Sequence, residues 1–262
     1  MDLELQGKVA VVTGASKGIG LATAAAFIEE GANVVASSRT STAELDALAA
    51  RGATVVLADI AETDTPQRLV DAARSTYGRL DVLVNNVGIA GVRSGFLDVG
   101  DSEWAKIFDV TFFSTVRTSR AALPALLETG GAIINISSIN ARLPAPMVVD
   151  YAAAKAAMAN LTKTLSEEFA PRGVRVNAVS PGPVRTPFWT GPGGFAHAIA
   201  AGAGVTAQQV LDEVVPQSMG ISTGRITEPG EVADLVLFLA SPRSANTTGA
   251  DFTLDGGQVK AL

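Results

Sequence analysis

The sequence predicts a doubly wound α/β fold, on three observations. Runs of β-favouring residues recur between turn residues, segments of helical character separate most of them, and no linker, repeat or change of composition divides the chain. Strands alternating with helices imply a parallel sheet covered on both faces, and right-handed crossovers then restrict the topology to a doubly wound one. In chain order the predicted strands are 9–13, 33–37, 54–58, 82–85, 132–137, 174–180 and 251–254, which makes a seven-stranded sheet. The predicted helices are 18–30, 66–77, 103–127, 150–170 and 231–240. A single domain over residues 1–262 is expected.

One connection breaks the rhythm. About 48 residues separate the strand ending at Ser180 from the helix near Pro229, where a few are usual. The segment follows a strand's carboxyl end and carries Phe188, Trp189, Phe195 and Met219 among Gly and Pro. Residues 183–228 therefore read as a lid, with a short helix or two, over an apolar pocket. A surface insertion or an oligomer contact is the competing reading.

Composition narrows the function. Hydrophobic residues make up 47% and charged residues 18%, with 26 Gly and 12 Pro, which excludes a disordered or collagen-like chain. Twenty basic against 26 acidic residues give a net charge of −6 without any basic run, so nucleic acid and anionic membranes are poor partners and a small molecule is the better one. There is no Cys, and His197 is the single histidine. Disulfides, thiolate chemistry and His-rich metal sites are thus excluded, and no metal is expected. His197 lies in a Gly/Ala-rich stretch and is assigned no role. Asp2 and Glu4 near the start do not suit a signal peptide, which points to the cytoplasm. The uncharged stretch 186–211 is interrupted by Pro and Gly and reads as loop, not as a membrane helix.

After the first strand comes Thr13-Gly14-Ala15-Ser16-Lys17-Gly18-Ile19-Gly20, opening a helix. Glycines let the turn bend, let backbone N–H groups approach a pyrophosphate and let helix and sheet pack closely, while a helix N-terminus favours negative charge. A tight strand-to-helix turn with no ligand is the plainer alternative. At the end of the second strand, where an acid would bond the ribose 2′-hydroxyl of NAD, the sequence reads Ser37-Ser38-Arg39. With no carboxylate there, Arg39 offers a fork for a 2′-phosphate and Lys17 a second cation, which favours NADP(H) over NAD(H).

Tyr151 and Lys155 are four apart at a helix start and project from one face. Thirteen residues upstream of Tyr151, Ser138 closes the apolar strand Ile133-Ile134-Asn135-Ile136. Together with the glycine turn, Asp59 after the third strand, Asn85-Asn86-Val87-Gly88, and Pro181-Gly182 with Thr186, these residues resemble the short-chain dehydrogenase/reductase (SDR) family over essentially the whole chain. The resemblance implies a Rossmann-type fold and an NADP(H)-linked reductase that turns a ketone into a secondary alcohol.

It also implies residue roles. Tyr151 is the proton donor, Lys155 lowers the phenol's pKa and bonds the nicotinamide ribose, and Ser138 holds the substrate oxygen. Gly14, Ser16, Lys17, Gly18, Ile19, Gly20, Ser38, Arg39, Asp59, Ile60, Asn86, Val87, Gly88, Pro181, Gly182, Val184 and Thr186 line the cofactor together with Tyr151 and Lys155. Two departures stand out. Val87 replaces the family's Ala, and Thr111 stands where the family has an Asn that helps hold a proton-relay water. A 3-oxoacyl-[acyl-carrier-protein] reductase is a related reading: Arg172 matches one basic docking position, but Glu128-Thr129-Gly130 falls at another. A dinucleotide-sensing protein with an idle site is a reading of another class. A homotetramer is expected, because helices 103–127 and 150–170 carry Phe108, Phe112, Phe113, Val116, Ala153, Ala156 and Ala157 on more than one face. The sequence leaves open whether Arg93, Arg142 and Arg185 approach a substrate.

Overall fold

The computed structural model describes residues 2–261; the outer limits of the predicted domain, Met1 and Leu262, lie outside them. Seven strands form one parallel sheet: β1 (Val9–Thr13), β2 (Asn33–Ser38), β3 (Thr54–Leu57), β4 (Val82–Asn85), β5 (Ala132–Ile136), β6 (Arg175–Pro181) and β7 (Asp251–Leu254). Their order is β3-β2-β1-β4-β5-β6-β7. The chain winds outward from β1 to β3, returns, and winds the other way from β4 to β7. That reversal leaves a crevice outside the carboxyl ends of β1 and β4, the place where doubly wound sheets bind ligands.

Eleven helices accompany the strands: α1 (Gly18–Glu29), α2 (Ala43–Ala50), α3 (Thr65–Tyr77), α4 (Asp101–Phe108), α5 (Ser114–Thr129), α6 (Val149–Phe169), α7 (Pro187–Thr190), α8 (Phe195–Ala203), α9 (Ala207–Gln209), α10 (Val215–Ser218) and α11 (Pro229–Ala240). Strand alternation sorts the core into two layers. Ala10 and Val12 of β1 join Phe27 of α1 and Val236 of α11 on one face. Val9 and Val11 join Leu69 of α3, Leu126 of α5 and Phe169 of α6 on the other. Burial on both faces explains why the central strands are almost unbroken apolar runs.

Two expectations change in detail. The long helix expected at 103–127 is α4 and α5 joined by a π-helical turn, Asp109–Phe113, and such insertions re-aim a helix at functional sites. Helix α2 falls in a stretch read as connection, although Thr42 caps it by accepting from the Leu45 N–H at 3.2 Å.

A buried polar chain fixes α6 against the sheet. Asn85 donates to Asn135 at 2.9 Å, and Asn135 donates to Thr162 of α6 at 2.9 Å. Fully paired buried amides of this kind specify one arrangement, and they set the depth of the helix that bears Tyr151 and Lys155. Among the described residues no helix is long and apolar enough to cross a membrane, and no group of His, Asp and Glu could hold a metal ion.

Candidate active site

At the crevice, β1 leads into the glycine turn. Gly14 and Gly18 have φ of +67° and +58°, a backbone region that side chains with a β-carbon rarely adopt. At Gly20 a β-carbon would lie 2.4 Å from the Gly14 carbonyl oxygen and 2.5 Å from Asn86 Nδ2. Asn86 braces the turn: its amide donates to the carbonyls of Thr13 at 2.8 Å and Gly14 at 3.2 Å, and its backbone N–H donates to the Thr13 hydroxyl at 3.0 Å. Its side-chain amide is therefore engaged with the turn. Val87 packs alongside, its methyl 3.0 Å from where a Gly14 β-carbon would be.

The turn is tied to the end of β2 as well. Ala15 N–H donates to the Ser37 carbonyl at 2.9 Å, and the Thr42 hydroxyl donates to the Ser16 carbonyl at 3.2 Å. Lys17, in extended backbone, immediately precedes α1, and both it and Arg39 are exposed. Thr186 overhangs from the other side, its methyl 3.1 Å from where a Gly18 β-carbon would sit. A bare glycine backbone at the N-terminus of a twelve-residue helix is a cradle that any side chain would fill, and it fits the pyrophosphate of a dinucleotide. Asp59 follows β3 beside Ser38 and accepts from the Ala61 N–H at 3.0 Å. Ile60 packs its side chain into the core. Gly182 donates to the Leu254 carbonyl at 3.0 Å, which carries the chain from Pro181 toward Val184.

The second group of residues gathers over β5. Ser138 extends that strand and accepts from the Asn140 N–H at 3.1 Å, which caps a short 3₁₀ turn. Its hydroxyl also donates to the Asn140 side-chain carbonyl at 3.4 Å. Lys155, one helical turn beyond Tyr151, is buried and donates to the Ile136 carbonyl at 2.6 Å. Its nitrogen lies 5.6 Å from the centre of the Tyr151 ring and 3.2 Å from where a Gly88 β-carbon would be. The glycine after Val87 thus leaves room for the amine.

Burial governs both titrations. It pushes the phenol up to about 12, against a smaller lowering influence of Ser138, and pulls the Lys155 amine from 10.5 down to about 7. The lowering expected from Lys155 does not emerge: its amine donates to the Ile136 carbonyl at the end of β5, and burial raises the phenol's pKa. At neutral pH the phenol keeps its proton, and it can give that proton to an oxygen seated between Ser138 and Tyr151.

Thr111 lies in the π-helical turn and is fully buried. Its hydroxyl accepts from the Ile89 N–H at 3.2 Å and donates to the Ile89 carbonyl at 3.4 Å. The π turn brings Thr111 to Gly88, its methyl 3.7 Å from where that β-carbon would be, while its hydroxyl holds the loop that follows β4.

Residues 183–228 fold as a flap on a stapled base. Val184 and Thr227 form a parallel bridge, with the Arg185 N–H donating to the Thr227 carbonyl at 2.8 Å. The flap has its own core of Trp189, Ala196, Val210, Leu211, Val215, Ile221 and Ile226. Phe188 stays 42% exposed, stacked on Phe195 at 4.9 Å. His197 is exposed on α8. Two of the three unassigned arginines are internal ties: Arg185 pairs with Asp212 at 2.7 Å and Glu228 at 2.9 Å, and Arg142 with Asp251 at 3.1 Å. Arg93 pairs with Asp150 at 2.6 Å, a contact across 57 positions that no sequence spacing signals.

Residues 14–258 match the family described as Enoyl-(Acyl carrier protein) reductase. The chain is 36% identical to 3beta-hydroxysteroid dehydrogenase 1 of Eggerthella lenta, over 98% of this chain and 95% of that protein. It is 38% identical to Short-chain reductase protein NovJ of Streptomyces niveus, over 97% and 94%. The crystal structure of L-sorbose reductase from Gluconobacter frateurii, complexed with NADPH and L-sorbose, superposes with a TM-score of 0.92 at 32% identity and covers 100% of both chains. Likeness of this extent, on a fold and a glycine cradle of matching chemistry, places the chain in the short-chain dehydrogenase/reductase family as an NAD(P)-dependent oxidoreductase.

Proposed function

We propose that the chain is an NADPH-dependent reductase that converts a ketone to a secondary alcohol, reversibly, and that residues 1–262 act as one domain with 183–228 as its lid. The juxtaposition of Ser138, Tyr151 and Lys155 carries this reading. When bound, the reduced nicotinamide supplies hydride to the carbonyl carbon. Ser138 orients the carbonyl oxygen, and the protonated phenol of Tyr151 donates to it as charge develops there. Lys155, beside Gly88, holds the ribose side of the cofactor and faces the phenol. The backbone of residues 14–20 receives the pyrophosphate, with Pro181, Gly182, Val184 and Thr186 on the nicotinamide side and Asp59 toward the adenine.

Preference for NADP(H) over NAD(H) rests on Lys17 and Arg39. Both are exposed at the rim of the cradle, neither joins an ion pair among the described residues, and Ser38 stands where an acid would repel a 2′-phosphate. The NADPH-complexed sorbose reductase supports this reading.

The substrate is a bulky apolar carbonyl compound. Val92, Leu143, Met147 and Phe188 are exposed large hydrophobics in the segments that follow β4, β5 and β6. A hydroxysteroid dehydrogenase among the relatives agrees with that chemistry. A carrier-bound acyl group fits less well, since Arg172 lies over the Phe169 ring and Glu128 pairs with Arg74. Phe113, at the end of the π turn that leads into α5, and Ala156 of α6 remain exposed, which supports a homotetramer built on those helices, checked by a light-scattering mass of four 26.8 kDa chains. The reaction itself is tested by NADPH oxidation across a panel of ketones and keto-esters: consumption with apolar ketones is expected, and none with any member would overturn the reading.

A further inference from the structure

The geometry points to Arg93 as a positioning residue, whose guanidinium clamps the first turn of the catalytic helix and thereby sets the phenol of Tyr151. The inference rests on the reading of Tyr151 as the proton donor.

Arg93 sits on the loop after β4, the loop that Thr111 also holds. Its side chain spans two helices. Nε and Nη2 donate to one carboxylate oxygen of Asp150 at 3.1 and 2.6 Å, and Nη1 donates to Glu103 of α4 at 2.5 Å. Its backbone N–H donates to the Met147 carbonyl at 2.8 Å, three residues before Asp150. The other oxygen of Asp150 accepts from the N–H of Tyr151 itself at 2.9 Å. Asp150 is completely buried and Arg93 largely so. A fork locked between two carboxylates has little freedom, and a buried carboxylate left alone would move or be neutralised. The clamp therefore joins the loops after β4 and β5 across the cleft and fixes the backbone from which Tyr151 projects. Glu103 completes it by accepting from the Gly100 N–H at 3.1 Å, which seats the start of α4.

A group that sets the donor's geometry acts on turnover more than on binding, because misplacing a reacting group by about 1 Å costs up to about 100-fold in rate. Arg93→Met is expected to lower kcat about 10- to 100-fold with KM and the cofactor Kd within about threefold. Arg93→Lys should recover most of that loss, since an ammonium restores the charge beside Asp150. Asp150→Asn should lower kcat similarly, and the double variant Arg93→Met/Asp150→Asn should be no worse than Arg93→Met alone, as both act through one contact. Hydrogen exchange of residues 149–154, which does not depend on activity, should quicken in Arg93→Met while that of α1 stays unchanged. Native kcat in folded Arg93→Met, a loss confined to KM, or unchanged exchange at 149–154 would overturn the clamp while leaving the reductase intact. Turnover that survives Tyr151→Phe would instead overturn the proton-donor reading, and the clamp's catalytic meaning with it.

Discussion

Around the glycine turn, shape is set by the backbone. Gly14 and Gly18 hold left-handed conformations, Gly20 has no space for a β-carbon, and Asn86, Ala15 and Thr42 bond to main-chain groups. Around Tyr151, by contrast, shape is set by side chains reaching across long distances in sequence: Lys155 to Ile136, Arg93 to Asp150, and a flap with a core of its own. A cradle of backbone fits a ligand held through main-chain groups, whatever the side chains around it. A cleft of side chains can be refitted to each substrate, and the segments after β4, β5 and β6 expose Val92, Leu143, Met147 and Phe188. The difference teaches where substitutions should act on everything the protein does and where they should act on one step.

The sharpest break between the two regions is expected at Tyr151. Tyr151→Phe keeps the ring and removes only the acid, so turnover should fall about 10²- to 10⁴-fold while NADPH binding, followed by nicotinamide fluorescence, is unchanged. Lys155→Met should lower turnover and weaken the cofactor together, because the amine lies on the boundary between the regions, beside both Gly88 and the phenol ring. If Tyr151→Phe left turnover near the native rate, the catalytic half would be misread.

At the cradle, Arg39→Asp is expected to reverse the cofactor preference. Each charged contact to phosphate is worth about 1.5–3 kcal/mol, about 10- to 100-fold in Kd. The added carboxylate would also meet the ribose hydroxyl of NADH. Paired titrations with NADPH and NADH check this, and equal affinities in the native protein would remove its basis.

These two regions also differ in how much the sequence reveals. Glycine positions and their spacing are dictated by backbone conformation, so the turn and the doubly wound succession of strands and helices are legible in the sequence, whereas the spatial order of the strands comes from the fold. Ser138, Tyr151 and Lys155 were legible because the strand end and the four-residue helix spacing bring them together. Arg93 and Asp150 were not, since 57 positions separate them and neither residue type marks the contact. The direction of the Tyr151 shift is hidden for a similar reason: the charge of Lys155 is written in the sequence, whereas the burial that raises the phenol's pKa is a property of the folded chain. Trp189 illustrates the same limit. Its apolar bulk suggests a pocket wall, yet it packs inside the flap with Val210 and Leu211 and leaves Phe188 to face outward.

That distinction gives a smaller effect to measure. Phe188→Ala should lower kcat/KM for bulky apolar ketones about tenfold, since an exposed ring that a substrate covers contributes about 1.5–3 kcal/mol at most. Trp189→Ala removes packing instead and should loosen the flap as a whole, costing about 3–5 kcal/mol of its local stability. Limited proteolysis within 183–228 should quicken for Trp189→Ala and not for Phe188→Ala. The opposite pattern would exchange the two roles.

The smallest effect is expected at Thr111, which stands at the seam between the regions. Its hydroxyl both accepts from and donates to the backbone of Ile89, so it holds the loop that also carries Arg93. An Asn side chain has a donor and an acceptor that can make the same two contacts and reaches further toward the cleft. Thr111→Asn should therefore leave kcat unchanged or raise it. Thr111→Val keeps the shape and removes both contacts, leaving the Ile89 N–H unpaired at a cost of about 1 kcal/mol, about fivefold if the whole of it appears in turnover. The two variants separate a hydroxyl that holds the loop from one that holds a relay water. Should Thr111→Val retain full turnover, the loop does not need the hydroxyl; should Thr111→Asn alone switch on an enzyme that is otherwise silent toward every ketone, the native chain is a dinucleotide binder whose catalytic residues await that one amide.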